Sequence, residues 1–203
     1  MIKFCAIVSG GLCSSLKGIE NADFIIACDK GYEYLKINHL VPDLVVGDFD
    51  SCIEKIQENI PKIEFPKNKD DTDTMCAIKY AVSNGFTDVV LYCALGKRLD
   101  HTIANLQACV WSSEKVNIKI FDENNEIYFV NNSKVSIPKK DGYSLSVFSA
   151  VDVCKNVSIK NTKYVLDNST LTNYYPLGVS NEWIDDAEIS VESGVLMIIL
   201  SKL

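Results

Sequence analysis

Up to about Asp122, short runs of aliphatic and β-branched residues alternate with longer helix-compatible stretches, and beyond it only short runs separated by turns remain. Parallel strands need crossover connections of about a dozen residues or more, so alternation of this kind predicts a parallel sheet with helices between its strands. The predicted strands are Ile2 to Val8, Phe24 to Cys28, Leu44 to Val46, Lys62 to Phe65, Val89 to Cys93 and Asn117 to Phe121. Asp73 to Asn84 reads as a helix capped by Thr72 or Asp71 and stopped by the Asn84-Gly85 pair, and His101 to Ser113 reads as another.

In the second part the expected strands are Ile127 to Val130, Lys134 to Ile137, Ser144 to Phe148, Val153 to Ile159, Ile189 to Val191 and Val195 to Leu200. Asp141-Gly142 and Ser193-Gly194 carry hairpin-turn chemistry. The expected fold is therefore α/β, an N-terminal open parallel sheet flanked by helices over residues 1–122 followed by a C-terminal antiparallel β-sandwich over 123–203.

Several function classes fall away on composition. A net charge of -7 opposes binding to a phosphate backbone, so nucleic acid is not an expected partner. The eight cysteines are scattered through apolar segments without a CxxC pair and read as small core residues in a reduced, cytoplasmic setting. With two histidines, a zinc site would have to draw on distant cysteines. The opening MIKFCAIVSGGLC suits a buried strand and turn better than a signal peptide, and the closing VLMIILSKL is too short for a membrane span, so no membrane partner is expected.

Acidic clusters follow the apolar runs: DLVVGDFDS (Asp43 to Ser51), KNKDDTDT (Lys67 to Thr74) and LGKRLDH (Leu95 to His101). Ligands of open parallel sheets bind beyond the carboxyl ends of the strands, where Asp29, Asp48, Asp50, Asp73 and Asp100 all fall. Their oxygens suit a hard cation, with Arg98 and Lys69 left to meet phosphate. So many acids in one cleft would otherwise repel and raise one another's pKa. His101 and Asn105 lie one turn apart on a helix face that can look into the same cleft. Each element also has a plainer reading: Asp48 and Asp50 as loop solvation, the acids at 70–73 as a helix N-terminus, Asp100 as a cap and Arg98 as surface charge.

PDLVVGDFDS, KDDTDT, GKRLDHTIANL and the later GVSNEW, in this order, resemble the thiamine pyrophosphokinase family, and the likeness covers nearly the whole chain. The resemblance implies transfer of the β,γ-pyrophosphoryl group of ATP to the hydroxyethyl oxygen of thiamine, giving thiamine diphosphate and AMP. It implies that Asp48, Asp50 and Asp73 hold magnesium, that Thr72 and Arg98 contact phosphates, and that Asp100 sits at the reacting hydroxyl. Ser180, Asn181 and Trp183 would form the thiamine site, an indole face suiting a cationic thiazolium. It also implies a homodimer whose active site lies at the subunit interface. One departure is Cys28-Asp29-Lys30-Gly31, where the family commonly has a second glycine after the acid; a side chain at Lys30 would limit how closely the backbone there approaches a ligand, or would instead add a phosphate contact.

Two other readings compete. Asp48-Phe49-Asp50-Ser51 resembles the nucleophile motif of haloacid-dehalogenase-like phosphatases, but it follows the third strand rather than the first and leaves GKRLDH and SNEW without a role. A thiamine- or nucleotide-binding module would have little use for so many metal-grade carboxylates.

Overall fold

A strand without a polar side has to be covered on both faces, and Phe4–Val8 (β1) is such a strand, buried along nearly its whole length. The computed structural model describes residues 3–48, 56–66 and 70–203. The chain divides into two units, Met1–Glu123 and Asn124–Leu203.

In the first unit β1 is joined by β2 (Phe24–Cys28), β3 (Leu44–Gly47), β4 (Lys62–Glu64), β5 (Asp88–Tyr92) and β6 (Asn117–Phe121). Every pairing is parallel, in the order β6-β5-β1-β2-β3-β4. The connections carry α1 (Gly31–Ile37), α2 (Asp73–Ser83) and α3 (Leu99–Ser112). Thr72 caps α2, its Oγ1 accepting the Met75 N–H at 3.1 Å, and Gly85 follows the helix at φ 75°. The helix buries Ala77, Ile78 and Ala81. Ala6, Val8, Ala27, Leu35, Val45 and Val90 belong to one apolar core. No helix among the described residues is long and apolar enough to cross a membrane.

The second unit is an antiparallel sandwich. One sheet has the order β12 (Gly178–Asn181), β9 (Tyr143–Ser149), β14 (Val195–Lys202), β7 (Asn125–Asn131). The other has the order β11 (Leu166–Thr172), β10 (Val153–Thr162), β13 (Trp183–Ser190), β8 (Lys134–Ile137). Leu145, Val147, Leu196, Ile198 and Leu200 from the first meet Ile137, Val157, Ile159, Leu171 and Ile189 from the second in a shared core.

Several local expectations change. Asp141-Gly142 and Ser193-Gly194 are not hairpin turns: β8 and β9, like β13 and β14, lie in different sheets, so both turns carry the chain across the sandwich. The seven-residue α1 and the polar strands β11 and β12 are absent from the expected set, and β13 begins six residues before the strand expected at Ile189. β11 and β13 expose most of their polar side chains, which hides their apolar alternation. Cys13 is no isolated core residue either, because it is disulfide-paired with Cys93.

Candidate active site

The carboxyl edge of the parallel sheet carries the described functional candidates of the first unit. The strand order runs outward from β1 through β2, β3 and β4, whereas β5 and β6 lie on the other side of β1. The direction of winding thus reverses between β1 and β5, and crevices at such reversals are where open α/β sheets take ligands. The turn at Ser9–Gly11 leaves β1 there, and the segment from Cys93 to Arg98 leaves β5 beside it.

Asp29 follows β2 in a left-handed conformation, φ 43°, which aspartate tolerates better than most residues. Its N–H donates to the Val46 carbonyl and its carbonyl accepts from the Tyr32 N–H, each at 3.0 Å. The carboxylate lies over Gly47, where a β-carbon would overlap Oδ1. Asp29 is thereby packed against the last residue of β3, next to half-buried Asp48. Asp50 and Lys69 lie outside the described residues.

Asp73 opens α2, directly after its cap. Burial pushes the Cys28 thiol well above its ordinary pKa, and the carboxylates of Asp73 and Asp29 push it further. The negative fields of these two acids, from the end of β2 and the start of α2, converge on that buried sulfur. Ser9 and Thr74, both buried, share a 2.9 Å hydroxyl–hydroxyl hydrogen bond that ties the end of β1 to the same helix start. Asp71 is turned to Lys79 at 2.6 Å on the surface.

After β5, Arg98 and Asp100 form a forked pair: Nε donates to Oδ1 at 3.2 Å and a terminal guanidinium nitrogen to Oδ2 at 2.5 Å. Asp100 Oδ1 also accepts the His101 N–H at 3.0 Å. The hydrogen bond from Arg98 is the main influence holding Asp100 below the usual aspartate range. α3 starts at Leu99, so Arg98 rather than Asp100 occupies the cap position, without a side-chain cap bond. His101 is exposed, whereas Asn105 is buried and donates to the Ala94 carbonyl at 2.8 Å, bracing the loop from within. Lys30 sits beside Gly10 at the start of α1, its β-carbon 3.6 Å from where one on Gly10 would stand.

In the second unit, Ser180 is exposed with φ 57°, and its N–H donates to Ser146 Oγ at 3.0 Å. Asn181 is buried and fully used: Oδ1 accepts from the Tyr164 and Glu182 N–H groups, while Nδ2 donates to Thr162 Oγ1 and the Tyr164 carbonyl. Trp183 is half-buried against the sandwich core and donates from Nε1 to the Tyr143 carbonyl at 2.7 Å. One edge of the indole is fixed, and the ring is not wholly covered.

Asp29, Asp48 and Asp73 carry carboxylate oxygens, the donor type that suits a hard cation. Among the described residues no group of three or more His, Cys, Asp and Glu side chains closes to metal-binding distance. Sequence reasoning passed over the Ser9–Thr74 bond and the Cys13–Cys93 pair, since residues 65 and 80 positions apart carry no local signal of meeting.

Comparison with known proteins adds to this geometry. A family model described as the catalytic domain of thiamin pyrophosphokinase matches residues 16–121, and one described as its vitamin B1 binding domain matches 132–196. A thiamine pyrophosphokinase of Bacillus subtilis (strain 168) is 28% identical over 213 residues, covering 98% of this chain and 99% of that one. Among solved structures, a thiamin pyrophosphokinase family protein from Enterococcus faecalis superposes with a TM-score of 0.85 at 27% identity, covering 99% of this chain and 100% of that one. The yeast enzyme, at 11% identity, shares the fold with a TM-score of 0.78 over 100% of this chain and 87% of its own.

Proposed function

The chain belongs to the thiamin pyrophosphokinase family, and on that premise we propose that it transfers the β,γ-pyrophosphoryl group of ATP to the hydroxyethyl oxygen of thiamine, releasing AMP. The observation that carries this reading is that the catalytic and vitamin B1 binding family models match successive parts of one chain. The acids at the carboxyl edge of the parallel sheet support it.

Residues 1–122 take ATP and magnesium, and 123–203 take thiamine and the second subunit of a homodimer, with the active site at the subunit interface. Asp48, Asp50 and Asp73 hold the metal, whose charge offsets the negative charge that builds on the phosphate oxygens. Asp29, Lys69, Thr72, Arg98, His101 and Asn105 form the nucleotide side. Thr72 can still donate its hydroxyl proton while its oxygen caps α2. Arg98 binds Asp100 through one fork and keeps further N–H donors for phosphate. Asn105 acts by holding the Ala94 carbonyl, and with it the loop that ends in Arg98.

Asp100 orients the thiamine hydroxyl. A carboxylate whose pKa is held down by a guanidinium stays ionised and accepts a hydrogen bond well, but it is a weak proton acceptor. Its role in this reading is therefore to aim the oxygen lone pair at the β-phosphorus. Ser180, Asn181 and Trp183 form the thiamine side, with Asn181 shaping the backbone and Trp183 offering its uncovered face to the cationic ring. A cytoplasmic setting belongs to the same proposal.

Incubation with ATP, thiamine and magnesium, followed by chromatography, tests it. Equal amounts of AMP and thiamine diphosphate are expected, and a chelator should stop both. Inorganic phosphate released without thiamine would favour the phosphatase reading, while saturable thiamine binding without product would leave a binding module.

A further inference from the structure

The crevice between β1 and β5 is spanned by a sulfur pair. Cys13, on the segment after β1, is disulfide-bonded to Cys93, the first residue after β5, with their Cα atoms 4.4 Å apart. We propose that Cys13 and Cys93 form a reversible thiol–disulfide site, oxidised by small-molecule disulfides, whose oxidised state closes the crevice to ATP. This rests on the reading that the first unit binds ATP at its carboxyl edge.

The two segments meet without a gap. Gly11 N–H donates to the Cys93 carbonyl at 2.7 Å and Leu12 N–H to the Leu95 carbonyl at 2.8 Å. A β-carbon at position 11 would stand 2.5 Å from both carbonyl oxygens, so only glycine permits this approach. The Leu12 side chain covers Gly96, and Tyr34 links the two segments again, donating to the Gly11 carbonyl and accepting from Lys97 Nζ. In the dithiol state these segments separate by breaking ordinary hydrogen bonds. In the disulfide state Cα atoms 13 and 93 stay within about 7 Å, and Leu12 remains over the loop that leads to Arg98.

The chemistry is a two-step exchange. Cys13, half-buried on a surface segment, attacks one sulfur of the reagent as its thiolate; the reagent S–S bond breaks and one small thiolate leaves. Buried Cys93, also as thiolate, then attacks the Cys13 sulfur of the mixed disulfide and expels the second. Two electrons pass to the reagent, and the two protons given up by the cysteines end on the two small thiols. Among the described residues the cysteines outside this disulfide are the buried Cys5, Cys28, Cys109 and Cys154 and the half-buried Cys76; burial pushes the thiols of Cys5, Cys28 and Cys109 upward.

The test equilibrates the full-length protein with a small thiol and its disulfide at set ratios, traps it by alkylation, and maps the bonds by mass spectrometry. Binding of a non-hydrolysable ATP analogue is measured calorimetrically on each form. One Cys13–Cys93 bond that follows the ratio reversibly is expected, with the oxidised form binding the analogue about tenfold more weakly. Cys13→Ser should bind like the reduced protein at every ratio. Absence of a reversible bond between these residues, equal or tighter binding by the oxidised form, or redox-sensitive binding in Cys13→Ser would overturn the proposal. If the reduced protein fails to bind the analogue, the ATP reading falls and the gating with it; if it binds and oxidation changes nothing, only the gating falls.

Discussion

The carboxylate of Asp29 occupies the space that a side chain on Gly47 would need. The absence of a side chain at Gly47 leaves room for a left-handed aspartate beside Asp48, and the Asp29 N–H bond to the Val46 carbonyl joins the end of β2 to β3. Strained backbone of this kind persists only where surrounding structure enforces it.

Gly47→Ala should therefore drive Asp29 out of place and lower kcat/KM for ATP by about tenfold or more. Combined with Asp29→Ala, the same change should cost less further stability than it does alone, because the clash is gone and only the backbone strain of a β-carbon at φ 158° remains. Activity assays and denaturant unfolding of the double-mutant cycle check both parts. Additive losses would mean that the two residues do not constrain each other.

Asp73→Asn removes a charge from the start of α2 and leaves its shape. Turnover should fall by about 10³-fold, while the helix loses about 0.3–1 kcal/mol of N-terminal charge stabilisation. Near-normal turnover across a magnesium titration would remove Asp73 from the metal site.

The Arg98–Asp100 pair should set an acid-side limit to activity. Because the folded pKa of Asp100 is depressed, the pairing is present above the ordinary aspartate value and is lost as pH falls through the depressed one. In Arg98→Met the Asp100 titration should move upward, followed by carboxyl carbon NMR, and the acid limb of kcat/KM should move with it. Both groups are exposed, so global stability should barely respond.

Asn181 and Trp183 should separate by what they break. Asn181→Ala leaves the part-buried Tyr164 and Glu182 backbone groups and the buried Thr162 hydroxyl without this partner and should cost about 1–3 kcal/mol, seen as a lower Tm. Trp183→Phe keeps an aromatic face but loses the bond to the Tyr143 carbonyl, about 1 kcal/mol. Its thiamine KM should rise less than that of Trp183→Ala, with the ATP KM unchanged in both. Equal thiamine KM values for wild type and Trp183→Ala would exclude stacking on this ring.

Sequence alone determined the parts that depend on nearest neighbours. The runs at 4–8, 24–28 and 89–92 are apolar on both faces, as strands covered on both sides require. Thr72 and Gly85 bound α2 by local hydrogen bonding and backbone freedom. Only the tertiary structure decided which distant groups meet. Gly47 beneath Asp29, Ser9 against Thr74 and Cys13 on Cys93 depend on strand order and register, which apolar patterning does not encode. Likewise, the turns at Gly142 and Gly194 have hairpin chemistry, but burying both inner faces of a sandwich sends their strands to opposite sheets.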